Sequence, residues 1–151
     1  MNGNELKQEV QFGLENLGKI HDRICYIQSH VSDQVIKTSA LTYECLGYYN
    51  AVEHLILRFL KFLKFDKPSG PSSHRDILKN FESLCLSNQT LSLDENVLRV
   101  IRELMPFRHI ATKIYGFLID EVKLNVIVAR IQSYHNHILD LITKLVKLNA
   151  E

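Results

Sequence analysis

The stretch Phe107-Arg108-His109-Ile110-Ala111-Thr112-Lys113-Ile114-Tyr115-Gly116, directly after Pro106, sets an arginine, a histidine, a lysine and a tyrosine within eight positions. That set suits work on a phosphate ester. A guanidinium holds two phosphate oxygens at once and offsets charge developing on them. An imidazole moves protons near neutral pH, and a lysine adds positive charge. If Pro106 opens a helix, Arg108 falls in the first turn, where unpaired backbone N–H groups also favour an anion. On an ideal helix Tyr115 lies about 20° from Arg108, whereas Lys113 is turned about 140° away and His109 points about 100° from Arg108. Arg108, Lys113 and Tyr115 therefore converge only on an irregular helix or where a second subunit completes the cleft. Spacing alone equally describes a solvated amphipathic helix burying Ile110, Ile114 and Tyr115.

Other polar groups carry plainer readings. Glu53, beside an apolar stripe, reads as a boundary salt bridge. Arg58, Lys61, Lys64 and Lys67 interleave with Phe59, Phe62 and Phe65, the pattern of a solvated basic face over buried phenylalanines. The same series is the best local candidate for holding a phosphate backbone, if a nucleic acid is bound. His135 and His137 project to opposite sides of a helix, a poor metal pair, and are expected to face solvent. No His/Asp/Glu set has metal-ligand spacing. Ser72 and Ser73 beside His74 lack a strained elbow or glycine-rich oxyanion setting, so N-capping is the expectation. Cys25, Cys45 and Cys85 form no CxxC pair and read as apolar core residues in a reducing compartment.

The elements positioning these residues are helices almost throughout. Leu6, Val10, Leu17, Ile20, Ile24, Ile27 and Val31 recur at helical steps, with Gly13 on the same stripe, where a second helix can approach closely. Ser32 or Asp33 then offers an N-cap. The next stripe is Cys45, Tyr49, Val52, Ile56, Phe59 and Leu63, ended by the breaker cluster Asp66-Lys67-Pro68-Ser69-Gly70-Pro71. A third helix starts near Ser72 or Ser73 and buries Ile77, Leu78, Phe81 and Leu84. A fourth starts near Asp94 with Val97, Leu98, Ile101 and Leu104 inward. From Pro106 to Tyr115 the chain is either a separate short helix or a continuation past a kink, ended at Gly116. Asp120 caps the last helix, whose stripe of Ile127, Ile131, Tyr134, Ile138, Leu141, Leu145 and Leu148 predicts a narrow seam about 40 Å long. The expected fold is all-α: one domain over 1–151, an up-and-down antiparallel bundle of four long helices plus a short one.

Composition agrees. Six glycines and three prolines are few enough for long helices, and 46% hydrophobic residues among 151 supply one core. A formal net charge of +1 gives no global basic field, so any nucleic-acid contact must be local. No apolar run approaches the ~18 residues that span a bilayer. The polar start Met1-Asn2-Gly3-Asn4-Glu5 argues against a signal peptide. A cytoplasmic protein without a membrane partner is expected.

Three collinear segments carry a resemblance. Arg108 to Tyr115 is similar to the Rx4HxY signature of HepT-like ribonuclease toxins of the HEPN superfamily, with Lys113 standing where that family has histidine. Tyr48-Tyr49-Asn50-Ala51-Val52-Glu53 resembles the family's second helix, where an aromatic-rich turn precedes a glutamate. Ser73-His74-Arg75-Asp76-Ile77-Leu78 resembles its tryptophan–histidine…leucine–leucine segment, with serine for tryptophan. The resemblance implies a homodimeric, metal-independent endoribonuclease without a cofactor, cutting RNA through a 2′,3′-cyclic phosphate. Arg108 would stabilise the phosphorane, Lys113 would occupy the proton-transfer position, and His109 is a substitute proton carrier. Glu53 would orient Arg108 or Lys113, and Arg58, Lys61 and Lys64 would bind RNA. Tyr115 would accept AMP from an MNT-type nucleotidyltransferase antitoxin, as in a type VII-like toxin–antitoxin pair. As a general base, Lys113 needs its value brought down from near 10.4. Otherwise it is a fixed positive charge. A catalytically inactive adaptor or substrate-binding subunit for a nucleotidyltransferase is the alternative, and a helical interaction protein a third.

Overall fold

The computed structural model describes residues 2–88, 95–113 and 119–150, and the side chains of all of these except Lys113. Five helices follow one another: α1 (Gly3–His30), α2 (Gln34–Phe62), α3 (Ser73–Ser87), α4 (Glu95–Lys113) and α5 (Glu121–Ala150). No strand occurs among the described residues. The all-α bundle expected from periodicity is what forms, and its shortest helix is α3, at 15 residues.

Local chemistry sets the helix starts. The Glu5 N–H donates to Asn2 Oδ1 at 2.9 Å and the Asn2 N–H to Glu5 Oε2 at 3.2 Å, a capping box that satisfies two free donors of α1. Asp33 receives the Ile36 N–H at 3.0 Å and Asp120 the Val122 N–H at 2.9 Å, so both aspartates cap as their positions suggest. Ser72 precedes α3 without a side-chain cap; its hydroxyl donates to Asp76 Oδ2 at 3.1 Å instead.

Two boundaries differ from the sequence reading. α2 ends three residues before the Pro/Gly cluster, through a backbone motif. The Phe65 N–H bonds Leu60 O at 2.9 Å and the Lys64 N–H bonds Lys61 O at 3.0 Å. Lys64 takes the left-handed conformation at φ 63 that glycine usually fills. The second difference is Pro106, which lies inside a continuous α4. Arg108 thus sits well within a helix, and no free first-turn N–H groups assist it. The Asp94 start and the Gly116 stop fall outside the described residues.

α2 packs against all four other helices. Residue pairs from Glu9–Arg58 through Gly13–Leu55 to Arg23–Glu44 run α1 antiparallel to it. A Cβ on Gly13 would stand 2.5 Å from Leu55 Cδ2, so the missing side chain does permit the close approach. α1 and α5 are also antiparallel: Gly3 meets Ala150 and His21 meets His135. The core is filled by Tyr48, Tyr49, Phe59 and Phe81 with Leu6, Leu17, Ile24, Ile101 and Leu104.

The narrow seam expected for α5 is too narrow. Tyr134 is half-buried and Leu148 exposed, while Leu124, Val128, His135 and Ile142 are buried beside the stripe. α5 touches α1, α2 and α4 together, and a helix with three neighbours buries a wider arc than one paired with a single partner. His135 is accordingly not at the surface. Its ring stacks on His21 at 4.0 Å and its Nδ1 lies 2.9 Å from Tyr48 Oη. His137 is exposed, as expected.

Candidate functional site

The polar centre of the molecule is built on one face of α2. Tyr49 and Glu53 are four residues apart, so the helix stacks them, and both are buried. The Tyr49 hydroxyl donates to Glu53 Oε2 at 2.7 Å. From the first turn of α3, His74 brings Nδ1 to within 2.8 Å of the same oxygen and 2.9 Å of Oε1. A buried carboxylate is tolerated only with such partners. Burial and then the Glu53 carboxylate push the Tyr49 phenol far up, so it stays a neutral donor.

Arg108 approaches this network from α4. Its Nε donates to Asn50 Oδ1 at 3.3 Å, and its guanidinium pulls the Tyr49 phenol downward, against the burial. The hydrogen bonds of Glu53 go to Tyr49 and His74, with the carboxylate enclosed and the His74 ring half-exposed at the boundary. His109, the next residue along α4, is exposed. The Lys113 side chain and the whole of Tyr115 lie outside the described residues.

His74, Tyr49 and Asn50 carry no role in the sequence reading, yet Tyr49 and His74 bond Glu53 and Asn50 bonds Arg108. The sequence signals were the four-residue Tyr49–Glu53 spacing, the place of His74 just past the Pro/Gly loop, and the two resembling segments, Tyr48 to Glu53 and Ser73 to Leu78, that contain these residues. The arrangement offers a fixed cation, a neutral phenol and an imidazole anchored by a carboxylate, the parts needed for binding an anion and moving a proton beside it.

The basic series is dispersed by the fold. Arg58 is engaged by Glu9 of α1, Lys61 and Lys64 are exposed, and Phe65 is exposed rather than buried. Arg58, Lys61 and Lys67 still line one open groove of about 620 Å³, together with His54, Phe65 and the acidic Glu9 and Asp66. Among the described residues no group of three His, Cys, Asp or Glu side chains could hold a metal ion. No described helix is long and apolar enough to cross a membrane. All three cysteines are free. Burial, with Glu44 beside Cys45 and Glu82 beside Cys85, pushes these two thiols up to about 12, so they are inert core residues.

An all-helical bundle whose second, third and fourth helices converge on Glu53, His74 and Arg108 has the architecture of a HEPN-like protein. A family model described as HepT-like protein matches residues 40–148, from α2 to near the end of α5. The chain belongs to this HepT-like family, which is related to the HEPN superfamily. No curated protein and no solved structure matches it.

Proposed function

We propose that this chain is the toxin of a type VII-like HEPN–nucleotidyltransferase pair, a metal-independent endoribonuclease acting as a homodimer in the cytoplasm. The observation that carries this reading is convergence. Glu53 and His74, 21 residues apart, are hydrogen-bonded, and Arg108, 55 residues from Glu53, bonds Asn50 on the same helix as Glu53 and acts electrostatically on Tyr49. Arg108 is the transition-state residue, neutralising charge on the phosphorane as the ribose 2′-oxygen attacks. Lys113 occupies the proton-transfer position of the Rx4HxY-like segment, and Tyr115 is the acceptor of AMP from the antitoxin. Lys61 and Lys64 contribute affinity for the RNA backbone, with Arg58 restrained by Glu9.

One observation favours a second reading. Lysine at 113 replaces the histidine of the motif, which suits a nuclease-inactive adaptor for a nucleotidyltransferase. Inducible expression in a bacterial host separates the two. A toxin arrests growth, Arg108→Ala relieves the arrest, and an MNT-type nucleotidyltransferase encoded beside it also relieves it. An adaptor leaves growth unaffected, and growth arrest that persists in Arg108→Ala would refute the role given to that residue.

A further inference from the structure

Asn50, whose Oδ1 accepts the Arg108 Nε–H at 3.3 Å, also lines an open groove of about 480 Å³ between α1 and α2. From α1 the groove is lined by Asn16, Lys19 and Arg23, and from α2 by Tyr43, Gly47 and Asn50. Steps of three and four place each set on one stripe of its helix. The two helices run antiparallel, so Asn16 and Asn50 stand at one end of the groove and Arg23 and Tyr43 at the other. Seven residues separate the ends along α2, about 10 Å.

Three features of this groove have no structural explanation in the bundle. Tyr43 is 72% exposed, and among the described residues its ring and hydroxyl have no partner. Gly47 lies inside α2, where glycine weakens a helix relative to alanine. Packing does not demand it: a Cβ there would meet only Ile20 Cδ1, at 4.0 Å, whereas one on Gly13 would collide with Leu55. What the glycine does is leave the groove floor bare. Lys19 is exposed and pairs with no carboxylate among the described residues, while Arg23 is neutralised by the enclosed Glu44 at 2.7 Å. Glu44 is the one acid in the lining, so the groove is left positive, and Arg108 adds to that at the Asn50 end.

An exposed aromatic ring beside a free cation suits a single-stranded nucleic acid, whose bases stack on the ring and whose phosphates meet the cation. A duplex offers no free base face. A protein partner fits less well, since the centre of such an interface is depleted of charge, and Tyr43 shares its groove with Lys19 and Arg23. On the far side of Asn50 the same face of α2 continues through His54 into the groove of Arg58 and Lys61. Arg108 thus meets α2 between two open grooves.

We propose that the groove between α1 and α2 seats a nucleotide flanking the phosphate held by Arg108, its base stacked on Tyr43 over the bare floor at Gly47 and its phosphate on Lys19. The inference rests on the ribonuclease reading for the phosphate at Arg108, and it makes unpaired RNA the substrate class.

The test uses the full chain and a fluorescent, 2′-O-methylated oligoadenylate, which lacks the attacking hydroxyl and stays whole. In anisotropy titrations Tyr43→Ala is expected to bind about 5- to 150-fold more weakly, the loss of one base stack, and Tyr43→Phe like the wild type. Lys19→Ala should flatten the slope of log affinity against log salt by about 0.7. Gly47→Leu should melt no lower than the wild type yet bind more weakly, because its side chain fills the floor. Pairing the probe with oligouridylate should abolish the effect of Tyr43→Ala. Wild-type affinity in Tyr43→Ala, or an equal loss for the duplex, would overturn the proposal. So would a change in subunit number on ultracentrifugation of Tyr43→Ala, which marks the tyrosine as a contact between copies. If Tyr43→Ala does not fold, wild-type affinity in Gly47→Leu refutes the subsite. Cleavage of unmethylated RNA in EDTA, measured in parallel, reports on the ribonuclease reading separately. Binding that depends on Tyr43 without cleavage overturns that reading and keeps the subsite; cleavage with binding indifferent to Tyr43 does the reverse.

Discussion

Acid is expected to weaken this fold through one histidine. His135 is buried in α5, stacked on His21 and bonded to Tyr48. Burial, and then the neighbouring His21, hold its pKa at about 4 against an ordinary 6.5, with Asp22 opposing. Between these two values the unfolded chain binds a proton that the folded chain refuses. The contribution to stability is therefore complete above pH 6.5, is lost progressively as pH falls toward 4, and changes no further below that. At about 1.36 kcal/mol per pH unit the ceiling is about 3 kcal/mol, and roughly 2 kcal/mol of it is gone by pH 4.5. The perturbation is the double variant Tyr48→Phe/His135→Phe, which removes both hydrogen-bonding partners and so leaves neither buried and unpaired. Urea unfolding at pH 7 and pH 4.5 gives the assay. Carboxylates shared by both proteins cancel in the comparison, and the variant should lose about 2 kcal/mol less than the wild type on acidification. An identical loss in the two proteins would refute the assignment of the neutral, buried state to His135.

Further outcomes are expected for other variants. Gly18→Ala, with nothing within 4 Å of its new methyl, should stabilise the protein by up to about 1 kcal/mol. Gly13→Ala meets Leu55 and should instead cost about 1–2 kcal/mol; equal melting shifts for the pair would contradict the tight α1–α2 contact. Glu53→Ala strands the Tyr49 hydroxyl and the His74 ring and should cost about 3 kcal/mol. Arg108→Ala should shift the melting temperature little, because its hydrogen bond to Asn50 is long, at 3.3 Å, and lies at the surface. In RNA binding, Lys61→Ala/Lys64→Ala should flatten the slope of log affinity against log salt by up to about 2; an unchanged slope would remove both residues from the interface.

Much of this architecture was legible because periodicity and capping are local. The stripes of α1 and α4, the close approach at Gly13, and the caps at Asp33 and Asp120 all follow from residue type at a stated spacing. The misplaced end of α2 has a different origin. Lys64 in a left-handed conformation gives no compositional sign, whereas the Pro/Gly cluster beyond it does. Pro106 is equally compatible with a new helix and a continuing one, and only packing decides. The burial of His135 is not legible from a single seam, because α5 meets three other helices. At the site, Arg108 and Glu53 stood out by type. The bonds of Glu53 to His74 and of Arg108 to Asn50 join separate helices, and no local spacing encodes those.

The most direct test of the central claim is incubation of mixed RNA with the purified, unmodified protein in EDTA, beside Arg108→Ala, with the product ends identified. Cleavage that leaves 2′,3′-cyclic phosphates and 5′-hydroxyls, and that disappears in Arg108→Ala, is the expected result. Intact RNA after incubation with the folded wild type, or equal cleavage by the variant, would contradict it.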